Sequence, residues 1–169
     1  LEEEHELRRE ATPFCFEASV GLPAVEEGTP LDSPEPVGYT LADGQRVWLR
    51  GRIDRINELL TNPSRRTARR RFVAWDYKTG SARRYMENGK RRREPFYGGR
   101  VVQHYVYVVL AESLLKERVS KDASVEAFGW FFPSVRDHGE RVLWKVHELA
   151  DGQRVMSDLC RLASSGVFP

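Results

Sequence analysis

The chain has 169 residues, a length that suits one folded domain with a substantial core. With 40% hydrophobic and 31% charged residues its composition is that of an ordinary globular protein, and no apolar run is long enough to cross a membrane. No signal peptide is recognisable, and Cys15 and Cys160 are too far apart to indicate a disulfide framework or a zinc site, so we expect a cytoplasmic protein.

The N-terminal part of the chain predicts a helix, a strand and a loop in succession. Residues 1–10 are polar and helix-prone, and their abrupt start suggests the end of a longer helix in a fragment of a larger chain. Residues 14–20 predict a strand with Glu17 on its outer face, and residues 22–36, rich in Pro and acids, predict a loop. The strand residues expected to face inward are Phe14, Phe16, Ala18 and Val20.

A predicted hairpin carries the first acid of interest. Residues 37–41 and 45–57 indicate two strands joined by a turn at residues 42–44. Apolar and polar residues alternate in the second strand, so Asp54 would project from the face opposite Ile53. A polar connector, residues 58–69, follows the hairpin.

A more apolar strand is predicted over residues 72–78. It ends in Asp76 and Lys78, which are two residues apart and therefore project from the same face. Such a charged pair is costly to bury unless it is paired or binds a ligand. If the strand that carries Asp54 is its neighbour, the two carboxylates would favour a divalent cation such as Mg²⁺ or Mn²⁺ between them. The residues alone equally allow a structural salt bridge between Asp76 and Lys78, with Asp54 capping a turn.

Basic residues are concentrated on both sides of this strand, although the net charge of the chain is only +2. Between residues 61 and 100 many arginines and lysines stand against three acids, Asp76, Glu87 and Glu94. Arginine is suited to phosphate contacts, so the block favours binding to DNA. A solvated loop, or arginines that contact acidic protein surfaces, are the alternatives.

The clearest predicted helix covers residues 101–115 and is apolar nearly all round, which is typical of a helix buried on most sides. Gln103 and Tyr107 are four residues apart and share one face, where their polar groups need partners, either neighbouring backbone groups or a site. His104 points elsewhere and is not expected to be a ligand. Two further strands, residues 125–132 and 142–147, precede a helix over residues 155–163.

Three strings in this order resemble the PD-(D/E)XK nuclease superfamily. They are Gly-Arg-Ile-Asp-Arg-Ile at residues 51–56, Trp-Asp-Tyr-Lys-Thr-Gly at residues 75–80 and Gln-His-Tyr-Val-Tyr at residues 103–107. More narrowly, they resemble the RecB-type nuclease domain of AddB-like and RecB-like helicase-nucleases and of Cas4-like exonucleases. The resemblance implies a single α/β domain over residues 1–169, with a restriction-endonuclease-like core in which helices flank a central mixed sheet. The family's upstream motif, a His or Glu on an earlier helix, has no clear match.

The resemblance also implies a Mg²⁺- or Mn²⁺-dependent deoxyribonuclease, of exonuclease type, that acts in DNA repair or recombination. Asp54, Asp76 and the backbone carbonyl of Tyr77 would hold the metal, while Lys78 would position or deprotonate water. The residues expected to contact the DNA strand are Gln103, Tyr107, Arg52, Arg55, Arg83 and Arg84, with Gln103 and Tyr107 also able to orient the lysine.

Several expectations stay open at the level of sequence. Glu17 is a candidate additional acid of the site, or else it pairs with an arginine. A helicase subunit or domain is a candidate partner. The C-terminal residues 166–169 resemble a stretch that leads to an iron-sulfur cluster in AddB-like relatives, but any such cluster would belong to a longer parent chain. The rival function is a catalytically inactive nuclease fold that serves as a DNA-binding or scaffold module.

Overall fold

The computed structural model describes residues 11–23, 28–60 and 69–166. The expected N-terminal helix, most of the polar connector and the last three residues lie outside these ranges. The strands are β1 (Ala11–Val20), β2 (Val37–Thr40), β3 (Arg46–Leu49), β4 (Gly51–Leu59), β5 (Arg71–Tyr77), β6 (Met86–Glu87), β7 (Lys90–Arg91), β8 (Ser124–Phe132) and β9 (Glu140–Lys145). The helices are α1 (Gln103–Arg118) and α2 (Gly152–Ser164), with 3₁₀ turns at Ala82–Tyr85 and Val146–Leu149.

A five-stranded mixed sheet forms the centre of the molecule, in the order β1-β4-β5-β8-β9. Strand β5 pairs antiparallel with β4 and parallel with β8, and β8 pairs antiparallel with β9. A parallel neighbour cannot be reached by a tight turn, so the chain crosses over between β5 and β8 through α1. This arrangement confirms the predicted α/β class with a central mixed sheet flanked by helices. None of the described helices combines the length and apolar character needed to cross a membrane.

The main core lies between the sheet and the two helices. The middle strand β5 contributes Phe72 and Ala74 to it, β8 contributes Phe128 and Trp130, and α1 contributes a row of aliphatic residues. The opposite face of the sheet carries a smaller cluster around Trp75, whose ring lies over Gly129, where a Cβ would collide with it. Because β5 is buried on both faces, it is apolar without alternation.

The predicted strand over residues 45–57 is two strands that belong to different sheets. Strand β3 pairs only with β2, in a separate two-stranded sheet, whereas β4 pairs with β1 and β5 in the main sheet. The chain changes sheets at Arg50, and Gly51 follows where a Cβ would press against a methyl group of Leu110 on α1. The single alternating pattern of the sequence hides this break.

The prediction that Phe14 and Phe16 face inward is wrong. Phe14 is 38% and Phe16 51% exposed, whereas Cys15 is buried. A β-bulge between Pro13 and Cys15 shifts the register against β4, and Glu17 then adopts φ +54°, after which the alternation resumes with a buried Ala18. Glu17 is exposed, as expected for the outer face.

His104 lies in the aromatic part of the core and is fully buried. Its ring packs against Phe96, Trp130 and Trp144, and neither ring nitrogen has a hydrogen-bond partner among the described residues. Burial lowers the pKa of His104 to about 4. The expectation that this histidine points away from the site therefore agrees with its position.

We expect replacement of His104 with Phe to preserve the fold and to flatten the dependence of stability on pH. The unfolded chain binds a proton at an ordinary pKa of 6.5 and the folded chain only at about 4, so stability falls as pH drops through this window. At pH 5 the wild-type histidine would cost about 2 kcal/mol relative to pH 8. Urea unfolding of both proteins at pH 5 and pH 8 measures this cost. If His104→Phe lost as much stability between pH 8 and pH 5 as the wild type does, the burial of His104 would not be the cause of the loss.

Candidate active site

Asp76 is an acid buried at the carboxyl end of the central strand. It is 4% exposed and follows the buried run Phe72 to Trp75. The strand places it there because every second residue from Phe72 faces α1 and the main core. Burial raises the pKa of the Asp76 carboxyl above its ordinary value. An ionised carboxylate at this position therefore needs nearby groups that favour the charge.

Lys78 and Gln103 supply those groups in a closed set of contacts. Nζ of Lys78 lies 2.6 Å from Oδ2 of Asp76 and donates a hydrogen bond of 2.8 Å to Oε1 of Gln103. Nε2 of Gln103 donates to Oδ1 of Asp76 at 2.8 Å. Gln103 is the first residue of α1, so the helix presents its positive end to the acid. The amide thus fixes the lysine and the carboxylate relative to each other.

Asp54 reaches the same place from the neighbouring strand. The pairing of β4 with β5 ends at Arg55 and Trp75, so Asp54 and Asp76 stand just beyond the last pair. There Oδ2 of Asp54 accepts a hydrogen bond of 2.6 Å from the backbone N–H of Tyr77. The charge of Asp54 further raises the pKa of Asp76, while the contacts from Lys78 and Gln103 lower it. The structure therefore brings the two predicted acids close enough to interact.

The two tyrosines of the predicted site lie on different sides of it. Tyr107 is half-buried and lies one turn along α1 from Gln103, whose side chain acts to lower the pKa of the tyrosine. Burial raises the pKa of Tyr107, with Asp76 and Asp54 adding to the rise. The Tyr77 side chain is 38% exposed and packs edge-on against Phe131 on the other face of the sheet. The structure thus brings the backbone N–H of Tyr77, and not its side chain, to the acids, and the metal-binding role of its carbonyl stays a prediction.

The donor set suits an oxygen-binding divalent cation. Asp54 and Asp76 offer carboxylate oxygens, and Oδ2 of Asp76 is buried without a well-aligned hydrogen bond despite its contact with Lys78. Two carboxylates, completed by a backbone oxygen and water, are the kind of set that Mg²⁺ accepts. Within the described ranges no three His, Cys, Asp or Glu side chains gather closely enough to hold an ion by themselves.

Glu17 lies close to Asp54 in the sheet but is not part of the pair formed by Asp54 and Asp76. The register of β1 on β4 places it across from Asp54, between the pairs Phe16–Arg55 and Ala18–Ile53. It does not join the two aspartates in a cluster that could bind a metal directly, and no described arginine lies within ion-pair distance of it. Its left-handed backbone is uncommon for a non-glycine residue inside a strand.

The four arginines predicted to contact DNA have different surroundings. Arg52 donates to the hydroxyl of Ser19 and to the carbonyl of Pro23 on the β1 side. Arg55 donates to Asn57 and Tyr77 on the sheet face away from α1. Arg83 and Arg84 are exposed in the 3₁₀ turn that follows β5, with Arg84 over the ring of Tyr85. Of these four arginines, the structure therefore places only Arg83 and Arg84 next to each other.

Much of the wider basic block is engaged in structural contacts. Arg70 makes a bidentate ion pair with Glu58, and Arg91 makes another with Glu148 while lying 3.8 Å from the ring centre of Trp144. Asp137, which the sequence did not single out, accepts hydrogen bonds from Ser81 and from the backbone of Ala82. It thereby ties the segment after Lys78 to the turn between β8 and β9. No local pattern marks such long-range pairs.

We expect replacement of Asp54 with Asn to lower the pKa of Asp76, because the variant loses the negative charge that raises it. Carboxyl ¹³C chemical shifts followed over pH would report this value directly. A raised carboxyl pKa means that the folded state holds the proton more tightly than the unfolded state. Stability from this group is thus present at low pH and lost as pH rises through the folded pKa, and Asp54→Asn should reduce that loss.

Asp122→Asn is the matched control for this measurement, since it removes the same charge from an exposed loop before β8. An Asp76 pKa that is the same in wild type and in Asp54→Asn would show that the two acids do not share a site.

Comparison with known families agrees with this geometry. The family model of the PD-(D/E)XK nuclease superfamily matches residues 1–169, which is the whole length of the chain. No curated protein sequence gives a match. With the acid pair, the lysine and the mixed sheet all in place, the chain belongs to the PD-(D/E)XK nuclease superfamily.

Proposed function

We propose that the protein is a metal-dependent deoxyribonuclease of the RecB/AddB type. The observation that carries the proposal is the closed contact of Asp76, Lys78 and Gln103 beside Asp54. Three charged groups from two strands meet there on one side of the sheet. A purely structural salt bridge between Asp76 and Lys78 would need neither the second acid, Asp54, nor the amide of Gln103 that holds the lysine in place.

Each side chain has a role that follows from its contacts. Asp54 and Asp76, with the carbonyl of Tyr77, would hold Mg²⁺ or Mn²⁺, which when bound supplies electrophilic activation of a phosphodiester and of water. Lys78 places its ammonium next to the acid pair, where it can orient the attacking water or stabilise developing negative charge. Gln103 holds the lysine side chain in position, and Tyr107 lies next to Gln103 on the following turn of α1.

The RecB/AddB assignment is supported by the order and placement of the three motifs. Gly51 to Ile56 lies on β4, Asp76 is the last residue but one of β5, and Gln103 is the first residue of the helix that follows. On this assignment the substrate is DNA, the cleavage is exonucleolytic, and the setting is repair or recombination in the cytoplasm beside a helicase subunit or domain. An iron-sulfur cluster is not proposed for this chain, because the two cysteines lie apart, one buried in β1 and one on α2.

We expect Asp76→Asn and Lys78→Gln each to lower DNA cleavage by at least about 100-fold, since each removes a group placed at the reacting phosphate. Asn keeps the size of the Asp76 side chain and a hydrogen-bonding group toward Gln103, while Gln removes the positive charge of Lys78 and keeps its number of non-hydrogen atoms on a shorter side chain. Cleavage of labelled single- and double-stranded DNA with Mg²⁺ or Mn²⁺ is the assay, and circular dichroism checks the fold.

Binding of Mn²⁺ in the absence of DNA separates the enzyme from an inactive scaffold. The wild type should bind the ion and Asp76→Asn should bind it much more weakly, because the variant loses one of the two carboxylates. A chain that binds DNA but shows neither Mn²⁺ binding nor cleavage would instead be the non-catalytic module. Equal cleavage by wild type and both variants would reject the site.

A further inference from the structure

A long groove runs along the edge of the sheet, beside the two-stranded β6–β7 hairpin. It consists of two adjoining cavities, of about 520 and about 610 Å³, which share Met86, Gly89 and Glu140 in their walls. One wall is β9, the last strand of the main sheet. The other wall is the hairpin, with the turn between β8 and β9 at one end. We call this feature the β9 groove.

The β9 groove begins next to the candidate active site. The backbone N–H of Lys78 donates to the carbonyl of Phe131 on β8, and Ser81 and Ala82 are bonded to Asp137 in the β8–β9 turn. Ala82 and Asp137 both line the first cavity. Ala82 is the fourth residue after Lys78, so that end of the groove lies within about 14 Å of the lysine along the backbone.

The lining of the β9 groove carries an excess of positive charge that the protein does not neutralise itself. Arg83 and Arg136 line the first cavity and Lys90 the second, and no described carboxylate lies within ion-pair distance of any of them. Of the three acids in the walls, two are already occupied. Asp137 accepts from Ser81, Ala82 and Ser134, and Glu148 accepts from Arg91 and from the backbone of Lys145. Asp137, whose charge acts on Arg136, and Glu140 are thus the two acids that oppose Arg83, Arg136 and Lys90, so the lining keeps a net positive charge.

The chemistry of the lining selects one class of ligand. Exposed cations in the walls of a channel suit the closely spaced negative charges of a phosphodiester chain. No Phe, Tyr or Trp ring lines the described walls, and the exposed rings there are the two imidazoles of His138 and His147, so the contacts would be mainly to the backbone. An apolar protein ligand would find few partners among these charged walls.

We propose that the β9 groove binds the phosphate backbone of one nucleic-acid strand on one side of the cleavage point. The inference rests on the proposed nuclease function for its substrate, but the binding itself needs neither metal nor catalysis. The groove extends the substrate contact beyond the residues of the motifs. It assigns a role to Arg136 and Lys90, which belong to no motif.

The test is the salt dependence of DNA binding by the full chain in EDTA, measured by fluorescence anisotropy with labelled single-stranded oligonucleotides. The double variant Arg83→Gln/Arg136→Gln should reduce the slope of log K against log salt by about 1.4, which is two contacts at about 0.7 each. It should also abolish the gain in affinity that the wild type shows as the oligonucleotide is lengthened. Lys90→Glu should weaken binding in the same way.

The matched control is Arg118→Gln/Lys121→Gln. It removes the same charge from exposed positions at and beyond the C-terminal end of α1, about 22 Å from Gln103 along the helix. This control should keep the wild-type slope. A groove variant with the wild-type slope, or a control that loses as much slope as the groove variant, would overturn the proposal.

The outcomes also separate this inference from the nuclease assignment. A chain that shows the predicted slopes but never cleaves DNA with Mg²⁺ or Mn²⁺ would keep the groove and lose the nuclease. A chain that cleaves normally while the groove variants bind like the wild type would keep the nuclease and lose the groove.

Discussion

The burial of the Asp76 carboxylate is the constraint on which the candidate site depends. Removing an ion from water costs on the order of several kcal/mol unless other groups compensate. Here an ammonium from the same strand and an amide from α1 provide that compensation at 2.6 and 2.8 Å. Because Gln103 must reach both partners, the start of α1 has to sit at the end of β5. The parallel β5–α1–β8 crossover provides that position.

A local departure from regular strand structure accompanies this arrangement. Cys15 and Ala18 belong to the same core cluster although they are three residues apart, and so do Ile53 and Ile56. Regular alternation is thus broken in β1 and β4 at the same level, between these residues. At the same level the carboxylate of Asp54 accepts a hydrogen bond from the backbone N–H of Tyr77. The left-handed Glu17 on the facing strand costs on the order of 1–3 kcal/mol, as strained residues beside functional sites often do.

Local patterns were sufficient to predict the parts of the fold that have a strong period. The apolar run before Asp76 predicted a strand that ends at the acid, and the apolar stretch after residue 101 predicted α1 within three residues at each end. The same patterns failed at the break near Arg50 and at the bulge before Cys15. At both places the backbone responds to which strands pair with which, and pairing partners are far apart in the sequence.

The arginines show why charge patterns predict less than motifs do. In the sequence Arg70, Arg83 and Arg91 are equivalent members of one basic block. In the structure Arg70 is bound to Glu58 and Arg91 to Glu148, which lies 57 residues away, whereas Arg83 faces an open groove. Partners on remote strands thus neutralise some cations and leave others available. Asp76 and Lys78, by contrast, are two residues apart at the end of one strand, so their spacing alone predicts that they meet, whereas a count of arginines predicts no partner.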